Sequence, residues 1–533
     1  MAQEEEETRP ATGENDNARE ESHELALAKT KSIAETFSLP HEIAFVFIIC
    51  MAQFNLIPFP RMTQASLGQV LAILHIIGDS FGITNPGILS WLIAAYSLTV
   101  GTFILPAGRL GDLFGYKKLF LIGFAWFGLW SLVAGLAVYS NYILFAFARA
   151  LQGIGPSLML PNALAILGAT YPPGPRKNMC FALFGAVAPG GAVIGGAFAS
   201  IFAQLAWWPW TFFAGAIACF GCAAAGALII PSPPPSSSQA EPAALKRRDL
   251  DLPGAATGVA ALVTFNIAWN QAPVVGWQEP YVYVLLILGV LLAAAFFVWE
   301  LKFAHAPLIP LHALNPDVAF VLGCIACGWG SFGIWVFYNW QFLQTIRGAS
   351  PLLSVAMYAP VGISGLCAAV TTGMLLHRVR PAWIMTVALC AFTVGMILVA
   401  TAPVRQTYWA QTFVSLIVMP WGMDMSFPAA TIILSNAVAR RHQGIAASLV
   451  NTVVNYSISL GLGFAGTVEV HVDDGGKNLL KGYRGAWYMG IGLSGLGVVV
   501  SLLFVARGYW RERHPKGGAG GVAGWKLLLH YNI

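Results

Sequence analysis

Asp424, in the stretch WGMDMSFPAA, is the only carboxylate between Arg405 and Arg440, and the residues around it are apolar. An aspartate at the centre of a membrane helix costs roughly 2.5–3.5 kcal/mol on insertion scales. Burial favours the neutral carboxyl, by up to ~3–5 pKa units when complete. A rise of about three units would place an aspartate near neutral pH. Such a group can load a proton on one side of a membrane and lose it on the other, or bind a cationic solute. A plainer role is also open: Pro428 stands one turn on and leaves the Asp424 carbonyl without its helical donor, so the side chain could serve the local backbone. Arg149 is a second ionisable residue inside an apolar segment. It faces a cavity, or snorkels to an interface, or pairs with a neighbouring helix.

Further polar groups punctuate the apolar runs. Asn339, Gln341 and Gln344 stand beside Trp335 and Trp340; Gln152, Asn162, Asn451 and Asn455 are similarly placed. They suit a cavity for amphipathic molecules, although tryptophans also collect at membrane interfaces. In GRLGDLFGYKK, Asp112 can cap the helix that follows and Gly115 permits the turn before it. Lys117 and Lys118 follow at once. Gly185, Pro189, Gly190, Gly191, Gly195 and Gly196 read as close-packing positions with a proline bend. Enzyme chemistry has no comparable support. No HExxH or GxxxxGK[ST] pattern occurs, and His75, His305, His312 and His377 are scattered. Cys219/Cys222 and Cys324/Cys327 have C-x-x-C spacing, but they lie in apolar segments without His or Asp and read as packing residues. No metal or cofactor is expected, and the protein is not expected to be an enzyme.

The elements that must hold these groups are helices crossing a bilayer. The 533 residues are 57% hydrophobic and 10% charged, against about 25% charged in a soluble domain. Apolar runs of ~20 residues, each long enough for a ~30 Å hydrocarbon core, recur throughout. The fold class is therefore an all-α polytopic membrane protein. Fourteen spans are expected, near 43–77, 87–107, 118–138, 142–170, 178–204, 209–230, 253–271, 281–301, 318–346, 352–376, 382–402, 407–436, 443–469 and 485–506. With the N-terminus inside, thirteen Lys/Arg fall in cytoplasmic connections and five in external ones, a positive-inside bias. The even number of spans places the C-terminus in the cytoplasm as well. Eleven of the 24 acidic residues lie in 1–42, which reads as a disordered acidic tail; no cleaved signal peptide is indicated. Residues 231–252, rich in Pro and Ser, read as a cytoplasmic linker, and 507–533 as a basic cytoplasmic tail. The first span is too long for one straight crossing. Its NLIPFPRMTQ segment, Asn55 to Gln64, either breaks the helix or is an insertion.

The chain also repeats itself. GRLGDLFGYKK begins at Gly108 and GMLLHRVRPAW at Gly373, 265 residues later; PNALAILG begins at Pro161 and PAATIILS at Pro428, 267 later. Two matches at nearly one offset imply related six-span bundles, 43–230 and 317–506, with an additional helix pair, 253–302, between them. Parallel halves rocking about a central cavity are a transporter architecture.

At this point a resemblance enters. GRLGDLFGYKKLF (108–120) resembles the signature loop of the major facilitator superfamily, and RALQGIGPSLMLPNA (149–163) its fourth-span motif. GAVAPGGAVIGGAFA (185–199) resembles the fifth-span motif of its antiporters. With fourteen spans the chain looks like a drug:proton antiporter, and WGMDMSFPAA and LHIIGDSFG look similar to the fungal aminotriazole-resistance branch. The resemblance implies a role for Arg149 near the proton pathway, and a charge network at Asp112 that latches the halves. It also implies a leak-preventing bend at Gly185–Gly196. The function expected is export of small organic compounds in exchange for protons, by a monomer in the plasma membrane. The vacuolar membrane is the alternative site. The alternative activity is proton-coupled transport, inward or outward, of a borate-like or siderophore-like solute. Partners are then the small-molecule substrate, protons and the lipid bilayer, with no nucleic acid.

Overall fold

The computed structural model describes residues 37–51, 62–83, 85–171, 176, 180, 188–231, 251–305, 307–309, 316–376, 378–437 and 443–513. Among them all regular structure is helical. The long first segment is three pieces: α1 (Leu39–Met51), α2 (Met62–Ala72) and α3 (Leu74–Ser80). Residues 52–61, where a break or insertion is expected, lie outside the described residues. α4 (Pro86–Phe114) starts where the Asn85 side chain accepts from the Gly87 amide at 2.8 Å, with proline in its first turn. It ends at Gly115, whose φ of +94° admits glycine far more readily than any other residue. α5 (Tyr116–Leu136) begins immediately beyond.

The fourth span is divided at Gly153 into α6 (Tyr142–Gln152) and α7 (Ile154–Thr170). The division occurs where the backbone presses on α4: a Cβ on Gly153 would lie 2.1 Å from Thr99 Oγ1 and 2.5 Å from the Tyr96 carbonyl. α8 (Ala188–Leu205) and α9 (Trp210–Ile229) follow, then α10 (Leu252–Val275) and α11 (Pro280–Lys302). α12 (Pro316–Gln341) runs into a π-helical turn, Phe342–Ile346, and α13 (Pro351–Leu375), α14 (Pro381–Thr401), α15 (Gln411–Ala437), α16 (Gln443–Val472) and α17 (Leu479–Arg513) complete the order.

Twelve helical stretches among the described residues are long and apolar enough to cross a membrane. The other two expected spans, 43–77 and 178–204, appear as shorter apolar helices, Leu39–Ile49 and Gly191–Leu205, beside residues that are not described. The fold is thus helical and polytopic as expected, and twelve of the fourteen expected spans correspond to helices of membrane-spanning length among the described residues.

Packing follows small residues. α4 crosses α16 and α8 packs between α2 and α13, so helices of the first half meet helices of the second. At the α4–α16 crossing, a Cβ on Gly101 would fall 2.7 Å from the Tyr456 amide nitrogen and 3.0 Å from the Thr452 carbonyl. Only a glycine lets the backbones approach so closely. The additional pair docks through α10, which lies on both α4 and α16, while α11 packs chiefly on α10 and leaves Ile287 and Leu291 exposed on an apolar outer face. Cys219 and Cys324 are buried and unbridged among packed side chains.

Candidate functional site

Arg149 is completely buried. α6 delivers it one turn from Gly153, where close approach to α4 brings acceptors within reach. Its Nε donates to the Leu92 carbonyl at 3.2 Å, and one terminal nitrogen to the Ser66 carbonyl at 3.2 Å. The other terminal nitrogen donates to Ser66 Oγ and Gln152 Oε1. The guanidinium lies 4.6 Å from the ring centroid of Tyr96, within cation–π range. Gln152 passes the network on, donating to Ser131 Oγ at 2.6 Å. Among the described residues every partner of the cation is neutral, so a full charge is held there by dipoles and one ring. The position is fully buried, and the Arg149 head does not reach an interface.

Asp424 sits in α15, half-buried, between Pro420 and Pro428. Its neighbours in sequence bind the helix to its surroundings: Gly422 backs onto the ring of Phe392, and Ser426 Oγ accepts from Trp329 Nε1 at 3.2 Å. The two ionisable residues are therefore in different halves, and Asp424 is not among the partners of Arg149. The polar side chains of α12 and α13 join in an aromatic cluster instead. Asn339 donates to the Tyr358 hydroxyl at 2.9 Å, and Trp340 stacks on Tyr358 at 4.3 Å. Trp335 donates to Ser415 Oγ at 2.9 Å. Asn455 bonds to the Asn451 carbonyl on α16 at the crossing with α4. Asn162 is elsewhere, beside the last turns of α4, where its Oδ1 would be 1.9 Å from a Cβ on Gly111.

At that end the signature loop is held by specific bonds. Asp112 accepts from the Tyr116 hydroxyl at 2.8 Å. Lys117 donates to the carbonyls of Ala227 and Ile230 at the end of α9, where a cation also opposes the helix dipole. Lys118 is exposed, and Gly108 lies near Pro161 and Ser448. Gly185 lies outside the described residues, as does the side chain of Pro189. Gly191, Gly195 and Gly196 are buried in α8, where a Cβ on Gly196 would touch Val355 of α13 at 3.2 Å and the Gly68 carbonyl at 3.3 Å.

Sequence reasoning missed several partners. Ser66, Tyr96 and Ser131 carry no signal, being ordinary residues made special by what they face. Arg109, a basic residue of GRLGDLFGYKK, lies in α4, and its bond to the Pro307 carbonyl at 3.1 Å depends on where the chain returns after α11. There the buried Glu300 accepts from the amides of Leu308 and Ile309 at 3.2 and 3.3 Å.

Ionisable groups are thus buried within a bundle of membrane-length helices. The chain belongs to the Major Facilitator Superfamily, whose family model matches residues 44–462 and 318–533. It is 61% identical to the "Low affinity ammonium transporter" of Saccharomyces cerevisiae over 88% of this chain and 89% of that protein. It is 48% identical to "Efflux pump terJ" of Aspergillus terreus, over 89% of each. It is 38% identical to the "Aminotriazole resistance protein" of S. cerevisiae, over 90% of this chain and 86% of that protein. Among solved structures it resembles a POT family transporter, with TM-score 0.63 and 14% identity over 88% of this chain and 96% of that one, which shows the fold alone. The protein is thus a multi-pass membrane transporter of small molecules rather than an enzyme, on the branch that includes drug-efflux pumps.

Proposed function

We propose that this protein exports small organic compounds in exchange for protons by alternating access, with Arg149 and Asp424 on the proton route. In this reading bundles 43–230 and 317–506 rock against each other while 253–302 rides on their seam. The protein acts as a monomer in the plasma membrane with both termini in the cytoplasm. The observation that carries the reading is the wholly buried Arg149, satisfied among the described residues by neutral partners only. A fixed charge with no counterion among the described residues sets a field in the first half that a mobile proton on Asp424 can answer. Substrate competes with the proton for the second half, where Trp335, Trp340 and Tyr358 supply an apolar wall. One proton moved across 100 mV gives about 2.3 kcal/mol. That supports a solute gradient of roughly fiftyfold.

A second reading, transport of a small cation such as ammonium, is favoured by the 61% identity to a protein of that name. The two separate in one experiment. Accumulation of a panel of fluorescent and toxic compounds, and of radiolabelled methylammonium, is measured in cells lacking their major pumps, with and without a protonophore. Lower accumulation of organic compounds, abolished by the protonophore, is the expected result. Raised methylammonium with no change in the panel would replace export by the second reading.

A further inference from the structure

The external ends of the first and ninth spans are tied across the two halves. Gln344 Nε2 donates to the Ala72 carbonyl at 2.8 Å, and Thr345 Oγ1 meets His75 Nε2 at 2.9 Å. Both ties come from the π-helical turn Phe342–Ile346. Such wide turns interrupt a helix at some local cost and cluster at functional sites. One turn inward, the Tyr338 hydroxyl donates to Glu469 Oε2 at 2.7 Å. Tyr483 packs edge-on against Tyr338 at 5.5 Å, and its hydroxyl faces Thr345. The π turn is therefore braced from behind by two tyrosines, and both converge on Glu469.

That carboxyl is 5% exposed, although its place in the sequence is the end of a span. α17 seals it in: a Cβ on Gly482 would lie 3.1 Å from Glu469 Cγ and 3.0 Å from Asp473 Cβ. The groups facing it are the hydroxyl of Tyr338 from α12, Tyr483 from α17 and Asp473, one turn on. Across the gate stand His75 and Asp79 on α3. Among the described residues Glu469 makes no ion pair. A single neutral donor and a like-charged neighbour are poor compensation for a buried carboxylate, whereas a neutral carboxyl fits the same site.

We infer that Glu469 is the proton-binding group of an external gate, which holds the α2–α3 junction against the π turn of α12 while it carries a proton. Loss of the proton leaves a charge that must be hydrated. Water reaches it only if the α12–α16–α17 junction parts, which withdraws Tyr338 and the π turn from Ala72 and His75. A proton arriving from outside closes the gate after solute has left. Only this place in the cycle rests on the proton-exchange reading; the response of the gate to pH does not.

The full-length protein in lipid nanodiscs tests this without any substrate, by hydrogen–deuterium exchange of peptides spanning 72–80 and 342–348, corrected for intrinsic rates. Between roughly pH 5.5 and pH 8 protection of both peptides is expected to fall about tenfold, the ratio that ~1.4 kcal/mol gives. In Glu469→Gln both stay protected at either pH, and in Tyr338→Phe the fall shrinks although the carboxyl remains. No fall in the wild type, or an undiminished fall in Glu469→Gln, overturns the proposal. So does a fall abolished by His75→Gln but kept in Glu469→Gln, which would make the histidine the sensor. If Glu469→Gln does not fold, Tyr338→Phe decides, and an unchanged fall there refutes the tie between carboxyl and gate.

Discussion

Arg149→Lys keeps the charge and most of the volume, yet it should disable the protein. The guanidinium serves four acceptors on three elements: Ser66 twice on α2, Leu92 on α4 and Gln152 on its own helix. Its flat face also lies on Tyr96. A lysine ammonium is a point donor; it cannot bond Leu92 and both Ser66 oxygens from one position or stack as the guanidinium does. Two buried acceptors are left without donors, at about 1–3 kcal/mol each, for a total of ~2–6 kcal/mol. Thermal unfolding of detergent-purified protein, followed by size-exclusion chromatography, should show a clearly lowered midpoint. Proton-driven export in cells at matched expression should fall at least about tenfold, the effect of the first ~1.4 kcal/mol. Arg149→Met is the companion: it gives up the charge, strands all four acceptors and should be less stable than Arg149→Lys. If Arg149→Lys unfolds and transports like the wild type, the network is not what holds this site, and the charge alone suffices.

Three further outcomes are expected. Asp424→Asn should lose protonophore-sensitive export while unfolding within about 1 kcal/mol of wild type, since it removes a charge that costs roughly 2.5–3.5 kcal/mol to insert; full proton-dependent transport would exclude it from the proton route. Gly101→Val places a branched side chain where a Cβ already lies 2.7 Å from the backbone of α16. It should cost about 1–3 kcal/mol of stability and slow transport, read as unfolding midpoint and initial rate in proteoliposomes. Asp112→Asn, exposed in the last turn of α4 and bonded to Tyr116, should shift stability by no more than ~0.5 kcal/mol while changing the transport rate; an unchanged rate would reduce the residue to a surface partner of Tyr116.

Much of the protein is legible in one dimension, because the bilayer makes it so. A crossing helix must satisfy every backbone group within itself and present apolar side chains to lipid, so each span writes a run of ~20 apolar residues into the chain. That requirement alone determined the helical class and the approximate places of most spans. The caps are equally local: Asn85 beside Pro86, and Gly115 between α4 and α5, specify their turns from neighbouring residues. The ionisable residues could be found because a charge among apolar neighbours is conspicuous, as at Arg149 and Asp424. Their partners could not. Ser66 precedes Arg149 by 83 residues, Ala72 precedes Gln344 by 272, and Tyr338 precedes Glu469 by 131. No local rule relates residues so distant in sequence. Glu469 shows the limit plainly: hydropathy puts it at the end of a span, beside the acidic Asp473 and Asp474, where an exposed acid is ordinary. Its burial was decided by the packing of α12 and α17 over it, because exposure is a property of the neighbours a fold supplies and not of the position a residue holds in its own helix.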